Sequence, residues 1–167
     1  MKKLFLMFAA VAALFATSCV TDTTSDVAVT GGECDVTLSV VAPGADSRTI
    51  GDGLKATDLT CAVYDHEWKY LTTKTTTFDN GSLSTTIEMR LVKGKEYNFV
   101  FWAQAPGAPY TFVPDQGTVK VDYSGAANDE IRDAFCQLHT FTVPDKATFD
   151  ETVYLRRPFA QINFGSD

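Results

Sequence analysis

Histidine is scarce in this chain of 167 residues: His66 and His139 are the only two. His66 falls in a turn and His139 alternates with polar neighbours, so both read as surface residues rather than as bases. Neither lies in a recognisable nucleophile motif, and no catalytic constellation stands out, so an enzyme is not expected. Cysteine is sparse as well, four in all, and no Cys-x-x-Cys or Cys/His spacing suggests a metal. No cofactor is expected. Asn128, Asp129, Glu130 and Asp133 lack the alternate-residue spacing and central glycine of a calcium loop. They read instead as a helix cap and a solvated face. Positive charge is short too, with 14 Lys and Arg against 21 Asp and Glu, which argues against nucleic acid as an electrostatic partner. No internal repeat of solenoid period is present. Long apolar runs are missing except for Leu4 to Phe15, which is too short to span a bilayer.

That one run has a specific setting. Lys2 and Lys3 precede it, and Ala16, Thr17 and Ser18 lead from it into Cys19. A basic end, a short apolar segment and small residues make an export signal over residues 1–18. The cysteine directly after them resembles a bacterial lipobox, although Ala16 stands where a strict lipobox has leucine. Its thiol would carry a diacylglyceryl group and, after cleavage, become the new N-terminus. At roughly 0.8 kcal/mol per buried CH₂, two or three acyl chains anchor firmly, so the expected first partner is a membrane, held through lipid on Cys19. Residues 19–33 are rich in Thr, Asp, Ser, Gly and Val without helical period and read as a flexible tether. Removing the first 18 of 167 residues leaves 149, enough for one domain with a full core over residues 34–167. Cys34, Cys61 and Cys136 remain, an odd number. Buried free thiols are expected, with a Cys34–Cys61 bridge as the alternative.

The rest is a series of short strand-like runs. Cys34 to Val40 alternates as a half-buried strand should. Leu59 to Tyr64 follows, then the Thr-rich Tyr70 to Phe78, which suits an exposed strand. Asp79-Asn80-Gly81-Ser82 carries a strong hairpin signal, after which Leu83, Thr85, Ile87, Met89 and Leu91 share one face. Lys93-Gly94-Lys95 makes another turn into Glu96 to Ala103. There Tyr97, Phe99 and Phe101 lie on one side and Val100 and Trp102 on the other, which implies a central strand covered twice. Pro106 to Pro109 break the pattern, and Gly117 to Tyr123 resumes it. Asn128 to Cys136 is the one candidate helix, capped by Asn128. Leu138 to Val143, Glu151 to Arg156 and Phe159 to Phe164 complete about nine strands, an all-β sandwich with at most one or two short helices. Trp68, Tyr70, Trp102 and Tyr110 are the aromatics that could line a ligand site, which would make the protein a surface binder of carbohydrate or another ligand.

Five features in order carry a resemblance: the lipobox, Ser47-Arg48-Thr49 after the first strand, Lys93-Gly94-Lys95-Glu96-Tyr97 leading into an aromatic strand, Arg132-Asp133-Ala134-Phe135, and the closing Leu155-Arg156-Arg157-Pro158-Phe159-Ala160-Gln161-Ile162-Asn163. Together they resemble the N-terminal domain of fimbrillin-like lipoproteins, the pilins of the type V pilus and their relatives, over essentially the whole mature chain. The resemblance implies a transthyretin-like β-sandwich with Greek-key type connections, lipid-anchored at the outer membrane and displayed on the cell surface. It also implies adhesion, other pilin-like subunits as partners, and assembly by strand donation. In those pilins an arginine-specific protease cuts the loop after the first strand, which would here place the cut after Arg48. An ordinary loop arginine is the competing reading. The pilins continue into a second β domain, whereas this sequence stops at Asp167, so either a fragment of a longer chain or a single-domain member with an accessory role is expected.

Overall fold

The computed structural model describes residues 31–43, 54–79, 82–124 and 130–158. Among them are nine strands: β1 (Glu33–Val41), β2 (Asp58–Asp65), β3 (Tyr70–Thr77), β4 (Ser84–Val92), β5 (Glu96–Gln104), β6 (Tyr110–Val113), β7 (Thr118–Val121), β8 (Ala134–Thr142) and β9 (Thr148–Tyr154). One sheet has the order β4-β1-β9, the other β3-β2-β5-β8, and β6 and β7 form a separate two-stranded ribbon. The two larger sheets face each other as a β-sandwich, in agreement with the sequence.

Side-chain parity builds the core. On β1, Cys34, Val36, Leu38 and Val40 are buried while Glu33, Asp35, Thr37 and Ser39 face outward, the period of two that a strand covered on one face requires. Ile87 and Leu91 of β4 and Val153 of β9 join them from the same sheet. Leu59, Cys61 and Val63 of β2, Tyr97, Phe99, Phe101 and Ala103 of β5, and Phe135 of β8 close the core from the other. Phe99 stacks on Phe141 of the same sheet at 4.9 Å, and Phe141 meets Phe149 of β9 across the gap at 5.3 Å, tilted by 52°. The three cysteines among the described residues are free thiols, Cys34 and Cys61 buried and Cys136 half-buried. The expectation of free thiols holds and the bridge does not form.

The connections depart from the sequence reading in three places. The turn at Asp79–Ser82 exists, Ser82 N donating to Asp79 O at 2.8 Å, but it does not close a hairpin. β3 pairs with β2 and β4 with β1, so the chain changes sheets there. The apolar face of β4 finds its partners on β1, while the exposed β3 stays at a sheet edge. Asn80 and Gly81 lie outside the described residues. Second, the expected helix over 128–136 is not formed where it is described. Glu130–Arg132 is a single 3-10 turn and β8 begins at Ala134. Ala134 and Phe135 are buried against β5, and nine residues of pairing with that strand outweigh a weak capping signal. Third, His139 is half-buried rather than superficial, with Nε2 3.3 Å from Glu151 Oε1 of β9. Phe135 and Phe141 both point inward and fix the parity of β8, so His139 turns in and Leu138, 64% exposed, turns out. The expected strand at Phe159 to Phe164 lies outside the described residues.

Candidate functional site

Two regions have the shape of a site. The first is the middle of the three-stranded sheet. β1 runs antiparallel to β4, from Glu33 opposite Val92 to Val41 opposite Ser84, and parallel to β9, from Asp35 beside Thr148 to Val41 beside Tyr154. It is therefore hydrogen-bonded along both edges and buried along its inner face. On the outer face Arg90 Nε lies 2.9 Å from Asp35 Oδ1, and its guanidinium 3.5 Å from Glu33. These exposed pairs raise the Arg90 pKa, the hydrogen bond to Asp35 contributing most. Arg48 lies in the sequence between β1 and β2. Both it and Cys19 lie outside the described residues.

The second region is the outer face of the four-stranded sheet. Beyond the core-facing residues of β5, Asn98, Val100 and Trp102 point away from the sandwich. The ribbon β6–β7 folds over part of that surface: Trp102, Tyr110 and Ala134 are buried together with Ala108, Phe112, Val119, Val121 and Cys136 around them. The Trp102 ring meets Tyr110 edge-on at 5.6 Å and stacks on Phe112 at 6.3 Å. Its Nε1 donates to Gln104 Oε1 at 2.7 Å, and the Tyr110 hydroxyl donates to Arg132 O at 2.7 Å. Burial raises the Tyr110 pKa. The ribbon is the second cover that the aromatic pattern of β5 demanded. Its first strand was hidden by Pro106 and Pro109, although Tyr110 and Phe112, a Pro114–Gly117 turn, and Val119 and Val121 form a readable hairpin signal. Gly117 takes φ 61° in that turn.

The four sequence-nominated aromatics thus divide into two pairs. Trp102 and Tyr110, 5% and 9% exposed, are packing residues beneath the ribbon. Trp68 and Tyr70, 51% and 37% exposed, stand at the β2–β3 turn. Sequence reasoning missed what joins the second pair, which is Tyr64. Its ring is 5.7 Å from Trp68 and 6.0 Å from Tyr70. Its hydroxyl donates to Pro114 O at the tip of the ribbon. Burial is the main cause of a raised Tyr64 pKa, followed by the charges of Tyr70, Asp115 and Cys61. A shallow groove of about 650 Å³ lies at the base of the ribbon, between Gly107–Thr111 and Lys120–Asp122. Asp133 holds Arg157 at 2.6 Å, and the Arg157 guanidinium lies over the Phe135 ring at 5.1 Å. No group of three His, Cys, Asp or Glu side chains fit to hold a metal occurs among the described residues, nor any helix long and apolar enough to cross a membrane.

The family of unknown function DUF6562 matches residues 27–167, and the chain belongs to it. No curated protein matches the sequence. Among solved structures, the chain is similar to a suggested polysaccharide-binding protein (DUF1812) from Bacteroides thetaiotaomicron. The identity is 17% and the TM-score 0.51, over 74% of this chain and 47% of that one. A suggested adhesin from Bacteroides ovatus gives 15% identity and TM-score 0.51, over 75% and 46%. A fimbrial assembly protein from Parabacteroides distasonis is more distant in shape, with 16% identity and TM-score 0.42 over 75% and 52%. At these identities the likeness is one of fold. The chain spans about half the length of the solved structures it matches.

Proposed function

We propose that this DUF6562 protein is a lipid-anchored β-sandwich of the cell surface with a structural, adhesion-type role, in which β1 is exchanged for a strand of a neighbouring subunit. One observation carries the reading: the first described strand is also the middle of its sheet, and Arg48 follows it within a few residues of sequence. Taking β1 out would uncover Ile87, Met89 and Leu91 on one side and Phe149 and Val153 on the other, along two unpaired backbones. Such a gap templates another chain, because an incoming strand regains hydrogen bonds on both edges and a core contact at every second residue. The replacement would run antiparallel to β4 and parallel to β9, with small or aliphatic side chains where Cys34, Val36, Leu38 and Val40 now sit. Likeness in fold to a suggested adhesin agrees with the reading, as does the export signal. The lipid on Cys19 would hold the protein at the outer membrane, and its partners would be other pilin-like subunits.

The test is the intact mass of the protein extracted from membranes of its native host. A species beginning at Thr49, without lipid, is expected in the assembled fraction, alongside an acylated precursor beginning at Cys19. Finding only the acylated, uncut form would remove strand exchange and leave the anchor. An uncut form with an unmodified Cys19 would remove both.

A further inference from the structure

We propose that Trp68 and Tyr70, standing on Tyr64 at the β2–β3 turn, form a stacking site for a neutral pyranose-based glycan. The inference is independent of β1 exchange, because the three residues belong to the other sheet.

Trp68 is the one non-glycine among the described residues with positive φ, at 63°. Turns that need this conformation ordinarily take Gly, Asn or Asp, and a bulky residue there strains the backbone. The turn itself is well made without the indole. Asp65 Oδ1 accepts from the backbone N–H groups of Glu67 and Lys69, both at 2.9 Å. Asp65 O accepts from Trp68 N at 3.1 Å and from Asn98 Nδ2 at 2.8 Å. A glycine would serve this backbone better, and yet the position holds the largest side chain and half-exposes it.

Both rings are placed in advance. Trp68 leans on Tyr64 at an interplanar angle of 47° and Tyr70 meets the same ring at 71°. Tyr64 is 3% exposed and its hydroxyl is tied to Pro114. The Tyr70 hydroxyl is paired with Thr73 Oγ1 at 2.8 Å. Rings fixed in this way lose little freedom when a ligand arrives. A pyranose offers an apolar C–H face to such rings and hydroxyls to polar groups such as Thr73 Oγ1 beside Tyr70 and the Glu67 and Lys69 that flank Trp68 in the sequence. Other occupants fit less well. A stable protein interface buries on the order of 800 Å² per partner, and two part-exposed rings set among charged residues supply a fraction of that. Asp65, Glu67 and Asp115 outnumber Lys69 nearby, and the chain carries a formal charge of −7, so an anionic glycan is repelled.

The test is native electrophoresis of the domain in gels containing a soluble neutral polysaccharide (mixed-linkage β-glucan, α-mannan or dextran) or the anionic polygalacturonate. At least one neutral polymer should retard the protein. Trp68→Ala should weaken that retardation at least tenfold and Tyr70→Ala less, while Tyr123→Ala, at an exposed ring elsewhere, should leave it unchanged. Trp68→Gly should abolish binding and also raise the denaturant midpoint, since it relieves the backbone while removing the ring. The proposal is overturned if none of the neutral polymers retards the protein, if Trp68→Gly binds like the parent or lowers the midpoint, or if polygalacturonate retards as strongly.

Discussion

The four-stranded sheet is covered by the core on one face and by the β6–β7 ribbon over part of the other, whereas the three-stranded sheet packs its inner face alone. Side-chain alternation accounts for the difference. β5 buries six of its nine residues, with Phe99 and Phe101 inward and Trp102 outward, so it needs a layer on each side. β1 alternates buried and polar positions, and its outer face ends in the exposed charges of Glu33 and Asp35. A strand covered twice is part of the scaffold. A strand covered once and bonded at both edges is the piece that the proposed exchange would replace.

The sharpest way to break this comparison is to weaken each sheet in a chain nicked within residues 44–53. Phe99→Ala should cost about 3–5 kcal/mol and Leu38→Ala about 2–5 kcal/mol in the uncut protein, because both leave cavities in one shared core. After nicking the outcomes should part. Leu38→Ala should release the β1 fragment, seen by mass after gel filtration, while residues 54–158 stay associated. Phe99→Ala should unfold the whole. If the nicked Leu38→Ala protein keeps its β1 fragment, the division of the molecule into scaffold and replaceable strand fails.

A second, somewhat smaller effect belongs to the scaffold and is read against pH. Burial pushes the Cys61 thiol up from 9.0 to about 12. A group whose pKa is raised by folding contributes stability that is complete below its unfolded value and is lost as pH climbs toward the folded one. Stability should therefore fall between pH 9 and about 12, by an amount on the order of 4 kcal/mol for three pKa units. Tyr64 and Tyr110, also raised by burial, act in the same direction. Denaturant midpoints of the parent and of Cys61→Ala across that window separate the contributions: the variant should show a shallower fall. Parallel curves would mean that Cys61 is not sealed in the scaffold.

Most of this architecture is legible in the residues, and the failures have one cause. The strands with clean alternation, Cys34 to Val40 and Leu83 to Leu91, fell where expected, as did the doubly covered β5. What local pattern cannot show is which sheet a strand joins. Asp79–Ser82 has the residues of a hairpin turn and makes a crossing turn instead, because the partner of β4 lies more than forty residues upstream in β1. The same limit hid the inward turn of His139, which is fixed by Phe135 and Phe141 rather than by its own neighbours. At the candidate site, Trp68 and Tyr70 could be nominated as aromatics beside a turn. Neither the platform of Tyr64 nor the left-handed backbone of Trp68 has a sequence signature, since tryptophan is among the last residues a positive φ would suggest.

The outer faces give the smallest and most discriminating test, because each is held by one kind of contact. On the four-stranded sheet, the Tyr64 hydroxyl fastens the tip of the ribbon through Pro114 O, in part-buried surroundings. Tyr64→Phe keeps the ring that supports Trp68 and Tyr70 but leaves that carbonyl without its donor, which should cost about 1–3 kcal/mol. Amide exchange should quicken first in Thr118–Val121, as the ribbon loosens before the sandwich does. On the three-stranded sheet, Arg90→Ala removes the pairs with Glu33 and Asp35, which are open to water and screened by salt. Its effect should be the smaller of the two and should vanish in high salt, whereas the Tyr64→Phe loss should persist there. If Arg90→Ala proved the costlier change, or if its effect survived high salt, the outer edge of β1 would be clamped by charge. The strand would then belong to the scaffold, and the contrast between the sheets would have to be abandoned.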